Sequence, residues 1–146
     1  MLMREQVFFE VPAESQREAV QYLVEQAQRL GKVADVDAVV AAVLHREEEG
    51  TTGFGNGIAI PHGKSSGVRE PALLYGRLAR PIDWKAMDGA PVSVLFLILV
   101  PEESHAEHLQ ILAKLARKLM HEDFVAQVKS IQDEAALAEF VQRELA

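Results

Sequence analysis

Apolar residues recur with two different spacings along this chain. Val7–Val11, Ala72–Ala79 and Val92–Val100 are short runs dominated by apolar residues, as in buried β-strands. Elsewhere apolar residues return every three or four positions, the spacing of one helical face, and Ser15 and Asp35 cap two such segments. Further helices are predicted to begin at Ser104–Glu107, Glu122 and Glu134. This alternation of strands and helices predicts an α/β sandwich, a sheet with helices on both faces.

The glycine-rich middle of the chain carries the main candidate chemistry. Ile58–Ile60 is long enough for a buried strand, which Pro61 should end, as Pro81 should end the strand that starts at Ala72. His62 then stands where the strand gives way to a polar loop. The preceding glycines permit positive φ angles and bring backbone N–H groups close to ligand oxygens. Such an imidazole suits the transfer of an anionic group, although a histidine can also end a strand without that role. The loop is predicted over Lys64–Glu70.

Composition narrows the class of protein. The 146 residues are 49% hydrophobic and 25% charged, which is typical of one globular domain over residues 1–146. A net charge of −7 without a basic stripe argues against nucleic-acid or membrane-surface partners. No cysteine is present, and the longest apolar run, Val92–Val100, is far shorter than the roughly 20 residues of a membrane-spanning helix. We therefore expect a single-domain cytoplasmic protein without direct membrane insertion.

Several kinds of active site can be compared with the sequence. His105 and His108 could share a metal, but no third ligand is recognisable, and the nucleotide and Ser-hydrolase fingerprints are absent. A more coherent set is His62, His108 and Arg46. A helix start keeps His108 neutral and welcomes an anion, while Arg46 offers a planar fork for phosphate. Each also has an ordinary interpretation, His108 as a surface residue at a helix start and Arg46 as a solvated cation.

The segment from Arg46 to Gly63, with its core Gly-Ile-Ala-Ile-Pro-His-Gly, resembles the signature of a known family. This family is the fructose/mannitol-type (type-2) enzyme IIA domain of the bacterial phosphoenolpyruvate-dependent sugar phosphotransferase system. The likeness continues through Trp84–Gly89, Val94–Pro101 and Glu107–Leu112. It implies an α/β sandwich with a mixed sheet and a phosphotransferase component with a phosphohistidine intermediate.

The resemblance also implies roles for individual residues. His62 would accept a phosphoryl group from phospho-HPr on Nε2 and pass it to a cysteine of enzyme IIB, which serves the membrane enzyme IIC. His108 and Arg46 match accessory positions that stabilise the phosphoryl group. Because Nε2 reacts, Nδ1 should be oriented by a hydrogen bond from the fold. The transported sugar would be fructose, and no metal or cofactor is expected.

Two further residue sets complete the expected site. The backbone of Gly55, Gly57 and Gly63 is expected to bind phosphate, since phosphoryl transfer depends mainly on positioning and charge stabilisation. Phe54 is the candidate centre of an apolar docking patch around His62, or alternatively a core aromatic residue. Two other functions stay open. One is a nitrogen-regulatory IIA protein that controls partners by its phosphorylation state, and the other is a metal-dependent hydrolase that uses His105 and His108.

Overall fold

The computed structural model describes the backbone of residues 2–104 and 107–146, and the side chains of residues 2–104 and 110–146. Six strands and five α-helices lie in these residues. The strands are β1 (Val7–Val11), β2 (Gly53–Gly55), β3 (Ile58–Ala59), β4 (His62–Ser65), β5 (Ala72–Ile82) and β6 (Val92–Pro101). The helices are α1 (Gln16–Arg29), α2 (Val36–Glu49), α3 (Glu107–Lys118), α4 (Glu122–Ser130) and α5 (Glu134–Leu145). None of these described helices is both long enough and apolar enough to cross a bilayer.

All six strands form one mixed sheet around β6. β1 is parallel to β5, β5 is antiparallel to β6, and the antiparallel pair β2–β3 joins β6 through the parallel strand β3. β4 also runs parallel to β6, so that β3 and β4 follow one another along it. β3 pairs with Val94 and Leu95 of β6, and β4 pairs with the segment Ile98–Pro101. β6 is therefore the central strand, as its almost continuous apolar sequence predicts.

Side chains alternate across the sheet and divide the core into two layers. In β6, Leu95, Leu97 and Leu99 pack in the layer that contains α1 and α2. Phe96 and Ile98 pack on the opposite face, in the layer that contains α3, α4 and α5. The predicted α/β sandwich with a mixed sheet and helices on both faces is confirmed.

Helix starts follow from short-range capping. Ser15 accepts a hydrogen bond from the backbone N–H of Glu18 at 3.2 Å, and Asp35 accepts one from Ala38 at 3.1 Å. Asp133 caps α5 in the same way. The predicted cap at Ser104–Glu107 includes residues outside those that the structure describes.

The middle of the chain departs from the prediction in two places. The apolar run forms strand only at Ile58–Ala59, and after Pro61 the chain pairs again, so His62 begins β4 instead of a loop. The reason is that β6 extends beyond β3, and its Ile98 N–H reaches the Pro61 carbonyl oxygen at 3.0 Å. The predicted loop over 64–70 is thus wrong for its first two residues.

Pro81 does not end the strand that starts at Ala72. β5 continues to Ile82, and its register against β6 shifts between Arg77 and Ile82. A proline has no N–H to donate, and an irregular stretch of ladder can accommodate it because no regular bond is needed there.

Candidate active site

His62 is placed by a close contact between β4 and α2. The next residue, Gly63, is buried, and a Cβ there would lie 2.7 Å from Cγ2 and 3.1 Å from the backbone nitrogen of Val43. Only glycine allows this approach without movement of the helix. The half-buried His62 is thereby held beside the last turns of α2.

A backbone carbonyl determines which ring nitrogen of His62 is free. Nδ1 lies 2.9 Å from the carbonyl oxygen of Ile60. A carbonyl oxygen can only accept a hydrogen bond, so Nδ1 carries the proton and donates it. In the neutral ring, Nε2 then keeps its lone pair, and no partner binds it among the described residues. The prediction left the orienting group open, and the structure identifies it as the Ile60 carbonyl.

His62 and Arg46 line the same shallow cleft of about 350 Å³. α2 contributes one wall and β4 contributes the other. The lining residues are Ala42, His45, Arg46, Glu49, His62, Gly63 and Lys64. Arg46 and His62, two of the three side chains predicted to form one site, are therefore neighbours in space.

Arg46 occupies the last turn of α2, where a cation is favoured by the helix dipole. Its Nη1 donates to the carbonyl oxygen of Gly50 at 2.8 Å, which leaves other N–H groups of the guanidinium for a ligand. The acidic neighbour Glu47 is held away from the cleft, because it accepts hydrogen bonds from the backbone N–H (2.6 Å) and the hydroxyl of Thr52. The acid-rich end of α2 is thus held by contacts to the following loop, although its acids oppose the helix dipole.

Gly55 and Gly57 lie away from His62. They flank the turn between β2 and β3, and the Gly57 carbonyl accepts from the N–H groups of Ser93 and Val94. His62 pairs with Ile98. Ile98 follows Val94 by four residues on β6, which is a distance of roughly 13 Å at about 3.3 Å per residue. Of the three glycines expected to bind phosphate, only Gly63 borders the cleft that contains His62.

The side chain of Asp88 holds the turn around Asn56 in place. Asp88 accepts a hydrogen bond from the Asn56 N–H at 3.0 Å and another from Ala90 at 3.0 Å. These backbone donors, that of Asn56 foremost, hold the pKa of the Asp88 carboxyl below its usual range. Positive φ angles of 124° at Gly55 and 81° at Gly57 explain the glycines there.

Phe54 lies in β2, outside the cleft. It is partly buried and packs against the core layer of α3, α4 and α5. The packing agrees with the alternative of a core aromatic residue, and the docking role stays a prediction.

The third predicted side chain, that of His108, lies outside the described side chains, although α3 does begin at Glu107 and so places this residue in its first turn. His105 lies outside the described residues altogether. Within the part of the chain that the structure describes, no group of three His, Asp or Glu residues is arranged to hold a metal ion.

The sequence model of one protein family matches residues 1–144, almost the whole chain. That family is described as phosphoenolpyruvate-dependent sugar phosphotransferase system, EIIA 2. The chain belongs to this family.

The relatives of this EIIA 2 chain include both sugar-specific EIIA components and nitrogen regulatory proteins. A Haloferax volcanii protein named PTS system fructose-specific EIIA component is 45% identical over 119 residues, 82% of this chain and 77% of that protein. A Bradyrhizobium diazoefficiens nitrogen regulatory protein is 41% identical over 123 residues, 84% of this chain and 80% of that protein. Among solved structures, nitrogen regulatory protein IIA-Ntr from Neisseria meningitidis matches with a TM-score of 0.85 and 29% identity, covering 98% of this chain and 94% of the other.

The EIIA 2 cleft also contains three side chains that the sequence pattern does not indicate as candidates. His45 and Glu49 lie on α2 with His45 Nδ1 3.8 Å from Glu49 Oε2, and Lys64 lies on β4. The sequence pattern predicts a loop at Lys64, whereas the structure has a strand there. If Lys64 had been placed in a strand that starts at His62, the period of two would have put it on the same face as His62.

Proposed function

We propose that His62 is the phosphoryl acceptor of this EIIA 2 chain. The observation that supports it best is the hydrogen bond from Nδ1 to the Ile60 carbonyl, which leaves Nε2 as the nucleophilic nitrogen. Arg46 lies in the same cleft and carries a positive charge that a transferred phosphoryl group requires.

The transfer step follows from this arrangement. The lone pair of His62 Nε2 attacks phosphorus, the bond between phosphorus and the donor breaks, and the electron pair leaves with the donor. The Nδ1 proton stays on the ring throughout, held by the Ile60 carbonyl. Arg46 and the Gly63 backbone stabilise the equatorial oxygens, and His108 is proposed to donate a hydrogen bond to them. We expect His108→Ala to slow transfer roughly 10²-fold without abolishing it, the order expected for one oriented donor.

The proposed partners are phospho-HPr as donor and a cysteine of an enzyme IIB domain as acceptor, for uptake of a sugar through enzyme IIC. Fructose is the proposed sugar because the 45% identical relative is named as fructose-specific. Phe54, with its partly accessible ring, is the proposed apolar contact for these partners.

A second candidate is a regulator of the nitrogen type, which uses the same histidine chemistry to control partner proteins. It is supported by the 41% identical nitrogen regulatory protein and by the likeness to IIA-Ntr. The two candidates differ in where the phosphoryl group goes, since the carrier must deliver it to a sugar-specific IIB.

The test is incubation with enzyme I, HPr and phosphoenolpyruvate, followed by intact mass measurement before and after mild acid. We expect one acid-labile phosphoryl group on the wild type and none on His62→Ala. His121→Ala is the matched control, because His121 is exposed and lies outside the cleft. Phosphate on the His62→Ala variant would refute the site.

A second stage adds a fructose-type IIB and then its membrane IIC with fructose. Loss of the label from this chain and its appearance on IIB support the carrier. A stable label that IIB never removes favours the regulator.

A further inference from the structure

Lys64 lies on the same side of β4 as His62. Successive residues of a strand point to opposite faces, so His62 and Lys64 share one face, while the buried Gly63 and Ser65 share the other. The Cα atoms of two such residues are about 6.6 Å apart, a span that a lysine side chain covers. Both side chains line the cleft that also contains Arg46.

The charges around the cleft leave a role for this lysine. Arg46 and Glu49 carry opposite formal charges, and Arg46 already donates to the Gly50 carbonyl. Without Lys64, the formal charge of the lining would therefore be zero when the histidines are neutral. The exposed Lys64 ammonium forms no ion pair or hydrogen bond within the described residues. It is the cleft's cation without an internal partner, and a dianionic phosphoryl group needs such a charge.

We propose that Lys64 is a further catalytic residue, whose ammonium contacts the phosphoryl oxygens during transfer to His62 Nε2. This assignment rests on the proposed phosphoryl transfer to His62. Lys64 keeps its three protons, and the only bonds that change are the donor–phosphorus bond and the new bond to Nε2. The Lys64 ammonium acts as a mobile point charge, whereas the planar guanidinium of Arg46 presents N–H donors in fixed directions.

The test compares Lys64→Met, which keeps an apolar stem of similar length, with Lys64→Arg, which keeps the charge. Lys85→Met is the matched control, because Lys85 is also exposed but lies outside this cleft. The readouts are the rate of phosphorylation by phospho-HPr, the equilibrium between phosphorylated donor and phosphorylated chain, and the dependence of the rate on salt.

We expect Lys64→Met to lower both the rate and the equilibrium constant about tenfold and to weaken the salt dependence. Lys64→Arg should retain most of both, and Lys85→Met should match the wild type. A role in folding alone would leave the equilibrium and the salt dependence unchanged in a variant that melts normally.

The possible failures can be told apart. If the wild type is phosphorylated on His62 but Lys64→Met behaves like Lys85→Met, the role of Lys64 is refuted and the proposed function stands. If the wild type takes no phosphoryl group from a competent donor, both are refuted.

Discussion

Gly63→Ala tests whether the contact between β4 and α2 builds the site. The added Cβ would lie 2.7 Å from Val43 Cγ2, 3.1 Å from its backbone nitrogen and 3.3 Å from its Cα. Two of these three atoms are backbone, so a rotamer change alone cannot make room. Overpacking of this kind costs about 1–3 kcal/mol of unfolding free energy, and the strand must move away from the helix. His62 would move with β4 and so away from Arg46.

Urea unfolding measures the stability loss, and phosphorylation by phospho-HPr measures the loss of alignment. Val43→Ala combined with Gly63→Ala removes the 2.7 Å contact but keeps the two backbone contacts, so we expect partial rescue, a coupling of about 1 kcal/mol. Gly50→Ala is the control for stability, because a Cβ on Gly50 meets nothing within 4 Å. If Gly63→Ala unfolds at the same urea concentration as wild type and transfers phosphate at the same rate, the reasoning is refuted.

Two other predictions concern His62 and Tyr75. Nitrogen-15 NMR of the unphosphorylated protein above pH 8 should show His62 protonated on Nδ1, and a ring protonated on Nε2 would contradict the Ile60 hydrogen bond. Burial, opposed by the nearby Arg77, raises the pKa of Tyr75 to about 12 from 10.0, so the unfolded chain loses this proton first and stability falls as pH rises through that window. Tyr75→Phe should therefore flatten the decline in unfolding free energy between pH 10 and 12 by up to about 3 kcal/mol, and an unchanged decline in this variant would contradict the reasoning.

Local signals predicted much of the fold. The predicted caps at Ser15 and Asp35 act over three residues, and both are present. The apolar run of β6 predicted a strand buried on both faces because every position except Ser93 is apolar up to Pro101. These features depend on residues close in sequence, so a single sequence contains the information.

β4 could not be found in the same way. His62–Ser65 contains no apolar alternation, and the strand exists because β6 offers backbone partners beyond the end of β3. The same limit applies to the position of Gly55 and Gly57, which precede His62 by only a few residues but lie away from it in the β2–β3 hairpin. Pairing between distant segments decides both cases, and local sequence patterns do not report it.

The choice of a backbone carbonyl as the partner of His62 has a chemical consequence. A carboxylate in its place would also hold the Nδ1 proton, but its negative charge would favour the imidazolium ion. The imidazolium has no lone pair on Nε2 and cannot attack phosphorus. The carbonyl of Ile60 orients the ring without that charge, and it is only two residues away along the chain. Orientation of His62 is therefore secured locally by the Ile60 carbonyl, whereas the positive charge that Arg46 brings to the proposed phosphoryl transfer depends on the tertiary contact between α2 and β4.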